Sequence, residues 1–402
     1  MSDLLAPTDE GAIATAVGEA ARAREPLAIV GNGTKTGMLR PVQAARSLST
    51  HNLAGITLYS PNELIISARA GTPLADIEAT LAERGQHIIA EPPDPAAISG
   101  SCEQQTLGGV VATNLSGSRR VAWGAMRDHV LGVRAVTGHG EIIHSGGRVL
   151  KNVTGLDLCK LLTGSHGTLA VVTEVTLKVL PAPEAVGTVV LPGLHATAGV
   201  AALSAALGSP YSVSAAAWLP AEAAARIPVL AVFGEPVVLA RIEEFAASVA
   251  YRTDKLRTDL GHGSAEILDD ALSRAVWRAM RNMAPLSAES DDAVWRISVR
   301  PSAGAVVLQT LADAFGGRGY LDWGGGLVWI TGPATTAGHA AVEAAARAAG
   351  GTWMLVRAPE SLRAAVHVIP PEPEPLARIT RRIKAALDPS GILNPGRMYA
   401  GL

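Results

Sequence analysis

The chain has 402 residues, 48% of them hydrophobic and 17% charged, with 34 basic against 36 acidic residues and a net charge of −2. That length and composition suit two or three domains with sizeable cores, and the balanced charge leaves no electrostatic footprint for nucleic acid. Two cysteines, Cys102 and Cys159, are too few for a disulfide framework or for a cysteine-built metal or iron–sulfur centre, so the chain reads as a reduced cytoplasmic protein.

The first residues are acidic and lack the basic and apolar regions of a secretory signal. Residues 9 to 24 form an Ala-rich helical pattern with Ile13 and Val17 four apart. A short buried strand, Leu27 to Val30, runs into the loop Gly31-Asn32-Gly33-Thr34-Lys35-Thr36-Gly37. Two strands, 56–59 and 64–70, flank the turn signal Ser60-Pro61-Asn62, and a helix spans 73–84 with Pro at its start and Gly85 at its end. Strand 130–137 turns through Gly138-His139-Gly140 into Glu141-Ile142-Ile143 as a hairpin. A short helix at 156–162 and a long β-branched strand at 169–180 follow, closed by Pro181-Ala182-Pro183.

Beyond that proline pair, strands near 188–191, 212–218, 229–233, 295–299, 326–331 and 353–356 alternate with Ala-rich helices. The last helix, 376–387, carries Arg378, Arg381, Arg382 and Lys384. The division read from this pattern is 1–182, 183–375 and 376–402. No internal repeat of fixed period is visible. The longest apolar run, Ile227 to Ala240, is broken by Glu235-Pro236 and is too short to span a bilayer, so membrane contact is expected only through partners.

Four segments carry chemistry. The first is the 31–37 loop. It follows a strand, but the third glycine of a dinucleotide fingerprint falls on Thr36, Pro41 stands where a long helix should run, and no acidic residue lies about twenty positions on. A nicotinamide cofactor is therefore rejected, and the loop reads as a nest of amides with Thr34 and Lys35, suited to a pyrophosphate. The second is Ala90-Glu91-Pro92-Pro93-Asp94-Pro95 leading to Thr106-Leu107-Gly108-Gly109-Val110-Val111-Ala112-Thr113-Asn114-Leu115-Ser116-Gly117. Its prolines stiffen the backbone and its paired glycines let backbone approach a ligand closely. The third joins Asn152-Val153-Thr154-Gly155-Leu156-Asp157-Leu158 to Gly164-Ser165-His166-Gly167-Thr168-Leu169, then a strand through Val171 and Val172. The fourth is Asp388-Pro389-Ser390-Gly391-Ile392-Leu393-Asn394-Pro395-Gly396-Arg397.

In this order the four segments resemble the FAD-binding family typified by vanillyl-alcohol oxidase and p-cresol methylhydroxylase. Within it the chain is most similar to FAD-binding chains of bacterial glycolate oxidase complexes. The resemblance covers residues 20–185 and the C-terminal tail, and is weak between them. It implies an α+β fold: a two-lobed FAD-binding domain of the p-cresol methylhydroxylase type, an α+β cap, and a C-terminal segment returning to the FAD domain. It implies FAD held by Gly31, Asn32, Gly33, Thr34 and Lys35 at the pyrophosphate. It places Pro92, Gly108, Gly109, Thr113, Asn114, Ser116 and Gly117 along the flavin and its ribityl and phosphate parts. Gly167, Val171 and Val172 would contact the flavin or adenine through backbone groups, and Asn394 would return near the isoalloxazine ring.

Departures from the family pattern carry expectations of their own. Thr34 and Lys35 stand where members with covalent FAD have histidine, so noncovalent FAD is expected. His166 and Ala170 replace a glutamate and a glycine. The His-rich metal and base motif of active 2-hydroxyacid dehydrogenases has no counterpart, so no catalytic residue and no metal ligand is assigned. His262 and His367 read as core or surface histidines. Trp323 and Trp329 read as core or interface aromatics, Arg119-Arg120 as a solvated pair in preference to an anion-steering one, and Arg378, Arg381 and Arg382 as a solvated helix face.

The resemblance implies a subunit of a glycolate oxidase or dehydrogenase complex. A second FAD-binding subunit would do the C–H chemistry on a small 2-hydroxy acid, and an iron–sulfur subunit would take the electrons. The complex would be cytoplasmic, peripheral at the inner membrane through partners. The alternatives are a self-sufficient flavin oxidoreductase with its base in the cap, a structural subunit with a degenerate flavin fold, and, last, the flavin reductase of cell-wall precursor synthesis.

Overall fold

The computed structural model describes residues 3–99, 101, 103–147, 156–261 and 263–402. Cys102, His262 and the Asn152-to-Gly155 part of the third motif lie outside the described residues.

Local sequence explains the first elements. Asp9 caps the helix Glu10–Ala23 by accepting from the Ala12 amide at 2.8 Å, and Arg24 ends it in the left-handed conformation. Ile13, Val17 and Ala20 form its buried stripe. That stripe packs on a three-stranded parallel sheet ordered Asp3–Leu5, Arg46–Ser49, Leu27–Val30. A second, antiparallel sheet runs Ile56–Ser60, Ile65–Arg69, Ala170–Lys178, Val130–Thr137, Ile142–Gly146. It buries Ile66, Ala68, Val133 and Val175 against the helices Leu74–Ala82 and Leu107–Thr113. Val171 and Val172 are neighbours on the long strand and point to opposite faces. Val171 therefore joins the core of the first lobe and Val172 that of the second.

The chain after Pro183 builds an eight-stranded antiparallel sheet, in the order Glu266–Leu268, Ala185–Pro192, Val237–Glu244, Val213–Leu219, Arg318–Asp322, Leu327–Pro333, Asp292–Ser298, Thr352–Arg357. Taken in chain order, its two halves of four strands pair as 4-1-3-2 and 2-3-1-4, and they meet through Trp218 and Leu321. In each half a helix follows the first strand and another follows the third, so each is a split βαβ unit. This duplication has no visible period in the sequence, because the two halves share a hydrophobic pattern and not residues.

The segment read as a strand at 229–233 is instead a short helix, Pro228–Ala231, and the strand lies at Val237–Glu244. Pro228 at the first helical position and Pro236 just before the strand explain the shift: each proline opens an element where the apolar run alone shows no break. Helix Glu374–Leu387 leads the tail back to the first lobe, where Ile392 and Leu393 join its core. Lys384, on that helix, is buried and holds Asp388 Oδ2 at 2.7 Å, Thr168 O at 2.7 Å and Leu393 O at 3.0 Å.

Candidate functional site

The strand Leu27–Val30 delivers the 31–37 loop onto the helix Leu107–Thr113. The contact is close enough that a Cβ on Gly31 would collide with Thr106 Oγ1. Gly33 takes φ +74°, a conformation that favours glycine. Asn32 Nδ2 donates to Gln104 O at 2.9 Å, and Thr106 caps the 107–113 helix by accepting from Gly109 N. Lys35 is buried; its ammonium donates to Gln105 Oε1 at 3.0 Å and Thr34 Oγ1 at 3.3 Å. Burial lowers its pKa from 10.5 to about 8, against a small opposing pull from Asp94.

The tail closes the other wall. Asp388 accepts from Ile392 N and Leu393 N, which fixes the turn after the last helix. Leu27 N donates to Ile392 O at 2.8 Å and Asn394 N to Leu27 O at 3.0 Å, so the tail runs as an extra strand-like segment beside Leu27. The Asn394 side chain then ties two loops together. Its Oδ1 accepts from Ile29 N at 2.8 Å and its Nδ2 donates to His166 O at 2.8 Å. Arg397 donates to Lys35 O at 2.8 Å. His166 is buried with its amide on Ala112 O, and burial with Arg397 nearby lowers its pKa to about 3, so its ring is neutral at pH 7.

These pieces line a cleft of about 450 Å3 that also reaches Glu360 and Arg363 beyond the eight-stranded sheet. Arg363 donates to Ala358 O at 3.0 Å, Leu39 O at 3.2 Å and Thr36 O at 3.3 Å. A second chamber of about 250 Å3 shares Gly33, Thr34, Thr36 and Gly37 with the first and extends to Pro95, Ile98, Ser101, Val356 and Arg357. The amide-rich loop therefore stands between two chambers.

Charge decides what the cleft can hold. Lys35, Arg363 and Arg397 converge on it, and none has a carboxylate within 4 Å among the described residues. Burial lowers the pKa of all three; Arg397 falls to about 10, with Arg363 adding repulsion. Three poorly solvated cations facing one space favour an anion there. The Ser165 hydroxyl, next to His166, is buried without a partner among the described residues. An elongated ligand with a doubly charged pyrophosphate between two ring systems fits two chambers joined at a loop of amides.

Of the sequence-derived residues, Gly31, Asn32, Gly33, Thr34, Lys35, Gly109, Thr113 and Asn394 line the 450 Å3 cleft. The others stand behind it. Gly108 donates to Ala70 O, Asn114 accepts from Arg127 N, and Ser116 accepts from Met126 N. Pro92 O takes Arg281 Nε at 3.0 Å. Gly117 N donates to Ala90 O and its carbonyl accepts Trp323 Nε1 at 3.0 Å. Gly167, at φ +70°, packs on Ile29 and Asn394. Arg363 and Glu360 carry no signal in the sequence, since they arrive from a distant helix. His166 was visible as a departure from the family pattern, and Arg397 as the cation of the tail motif.

Arg119 is not solvated. It is buried in a charge quartet that joins the first half of the chain to the eight-stranded sheet. Arg241 grips Glu91 with both nitrogens at 3.0 Å, and Arg119 grips Glu243 at 2.6 and 3.0 Å. Cross pairs lie at 3.3 and 3.4 Å. The arginines hold both carboxylates well below their ordinary pKa despite burial. His367 is exposed near Glu343, Trp323 and Trp329 are buried, and Cys159 is a buried free thiol. No group of three or more metal-ligating side chains and no helix long and apolar enough to cross a membrane occurs among the described residues.

Comparison with known proteins points to the same class of cofactor. Residues 3–146 match the FAD binding domain family. The chain is 34% identical over 393 residues to the glycolate oxidase subunit GlcE of Escherichia coli (strain K12), covering 96% of each. It is 36% identical over 157 residues to a D-lactate dehydrogenase of Archaeoglobus fulgidus, 39% of this chain and 33% of that one. Its fold superposes on the 4-ethylphenol oxidase of Gulosibacter chungangensis with a TM-score of 0.73 at 14% identity, over 99% of this chain and 89% of the other. The chain belongs to the FAD-binding oxidoreductase family that includes the glycolate oxidase subunit GlcE.

Proposed function

We propose that this chain is the FAD-binding subunit of a glycolate oxidase-type complex, divided as 1–182, 183–375 and 376–402 into FAD domain, cap and returning tail. The observation that carries the reading is the cleft with Lys35, Arg363 and Arg397 unpaired around an amide-rich loop. In it the 31–35 backbone and Lys35 hold the pyrophosphate by charge-assisted hydrogen bonds. Arg397 and Asn394 brace the loop and the 27–30 strand. Gly109 and Thr113 form the floor, and the residues behind them fix its backbone. FAD is noncovalent, since Thr34 and Lys35 offer no histidine for attachment. When bound it supplies reversible two-electron acceptance with onward delivery of single electrons. The complex oxidises a small 2-hydroxy acid to its 2-oxo acid. A second flavin subunit does the C–H chemistry and an iron–sulfur subunit receives the electrons, with membrane contact through partners.

The test is an anaerobic visible spectrum of the purified chain, alone and with its partner subunits, before and after glycolate. Flavin absorbance released on denaturation, and bleached only with partners present, is the expected result. Bleaching of the isolated chain would overturn the relay role, and a colourless chain would overturn FAD binding itself.

A further inference from the structure

Two helices of fourteen residues lie against the first lobe and differ in what they bury. Glu10–Ala23 buries Ile13, Val17 and Ala20. Glu374–Leu387 buries only Lys384. Its large apolar residues Leu376, Ile379 and Ile383 recur at spacings of three and four, so they form one stripe along the helix. The fold leaves that stripe uncovered: Leu376 is 49% exposed, Ile379 is 53% exposed and Ile383 is only partly buried. Arg378 and Arg382, four apart, run along its outer edge. Both are exposed, and neither has a hydrogen bond or ion pair among the described residues.

The helix is also held rigid. Pro370, Pro371, Pro373 and Pro375 stiffen its lead-in. Thr380 Oγ1 donates to Glu372 Oε1 at 3.0 Å near its start, and Lys384 fastens its far end to Asp388, Thr168 and Leu393. A helix fixed in this way loses little entropy on docking. An apolar stripe on such a helix suits a hydrophobic groove, and free guanidiniums along one edge call for acidic groups on the rim of that groove. An anionic bilayer suits it less. Arg381 is paired with Glu374 at the surface, which leaves two free cations where lipid-binding clusters carry about four to eight. The helix has no Trp or Phe, and the chain's net charge of −2 supplies no long-range attraction to an anionic surface.

We propose that the Leu376–Ile379–Ile383 face of this helix is the docking surface for a partner subunit, one that presents an apolar groove with acidic residues on the rim beside Arg378 and Arg382. That the partner is a subunit of an oxidase complex rests on the reading above; the face itself rests on the uncovered stripe and its two free arginines. One face of about 21 Å of helix falls short of the roughly 800 Å2 that a stable interface buries on each side, so the stripe is the anchor of a larger contact. The same helix continues into the tail that brings Asn394 and Arg397 to the cofactor cleft, so a partner seated on it stands on the segment that closes that cleft.

Co-expression of the full chain with its candidate second flavin subunit and iron–sulfur subunit tests this, with assembly read by light scattering and by the concentration at which the complex dissociates. Ile379→Asp puts a charge in the stripe, and the double variant Arg378→Glu/Arg382→Glu reverses its edge. All three positions are exposed, so both isolated variants are expected to keep the wild-type unfolding temperature and flavin content. Each is expected to weaken assembly at least about tenfold, and the wild-type complex to loosen as salt rises from about 0.05 to 0.5 M. Assembly at wild-type strength in both variants would overturn the docking face and leave the complex reading intact. A wild-type chain that does not assemble with those subunits would overturn both. Two further outcomes would overturn the proposed occupant. Self-association of the wild-type chain, lost in the variants, would assign the face to a second copy. Binding to phosphatidylglycerol–phosphatidylcholine vesicles, lost in Ile379→Asp, would assign it to a membrane.

Discussion

Around Glu91, four largely buried charges form two bidentate pairs; around Lys35, three cations meet with no carboxylate within 4 Å of any of them among the described residues. Both clusters gather poorly solvated cations; only the quartet supplies acids to match them. In the quartet each guanidinium grips a carboxylate in fork geometry, so desolvation is offset by attraction. In the cleft the cations hold backbone carbonyls and polar side chains, which fix them in space and leave their charge exposed to whatever enters. Balanced charge fastens the two halves of the molecule together. Unbalanced charge selects a ligand, and its cost is borne by the free protein until the ligand arrives.

The comparison is broken most severely at the quartet. Arg241→Met strands Glu91 without its bidentate partner in a buried site and is expected to cost about 3–5 kcal/mol of stability. Denaturant unfolding of the FAD-free chain measures it. The double variant Arg241→Met/Glu91→Gln keeps the Arg119–Glu243 pair intact and is expected to lose less than the single variant. A single variant that unfolds like the wild type would show that the quartet is not the fastening. Acid acts the same way. Both carboxylates have folded pKa values below their unfolded ones, so the quartet's contribution is present above the ordinary carboxylate range and is lost as pH falls through it toward the folded values.

The opposite response is expected in the cleft. Lys35→Met removes a buried cation that has no carboxylate within 4 Å among the described residues, so the FAD-free chain is expected to be as stable as the wild type or more so. Its affinity for FAD is expected to fall about ten- to hundredfold, the worth of one charge-assisted hydrogen bond of about 1.5–3 kcal/mol. Flavin fluorescence titration checks the affinity, and denaturant unfolding the stability. A variant that loses stability and keeps FAD affinity would assign Lys35 to the structure.

These two regions were unequally legible in the sequence. The cleft is spelled out by residues whose backbone demands are local: glycines at close approaches, Asn394 at φ +43°, prolines that fix lead-ins. Such demands leave motifs, and eight of the named residues line one space. Arg363 was invisible because its role depends on a helix more than three hundred positions from the loop it touches. The quartet was invisible for the same reason. Arg119 and Glu243 are 124 positions apart, and an Arg-Arg dipeptide beside a glycine reads as solvated until the opposing strand is in place. The duplicated sheet left no period, since alternation of apolar residues tolerates complete change of identity.

The smallest expected effect is a slope. Lys35 has a folded pKa of about 8 against 10.5 when solvated. In the free protein the folded state therefore gives up this proton first, and the cost of keeping it charged, about 3 kcal/mol from the size of the shift, is fully present below pH 8 and fades between 8 and 10.5. A bound pyrophosphate favours the charged form and raises that pKa. Binding above pH 8 must then take up a proton. FAD affinity is expected to be flat below pH 8 and to decline above it, by at most about tenfold per pH unit. Lys35→Met should lose that alkaline limb while keeping its weaker, pH-independent affinity. Affinity measured from about pH 6.5 to 10 at constant ionic strength in both proteins decides it. A wild-type profile with no decline above pH 8, or a variant with the same decline, would mean that the ammonium does not meet the anion and that Arg363 and Arg397 carry the charge recognition alone.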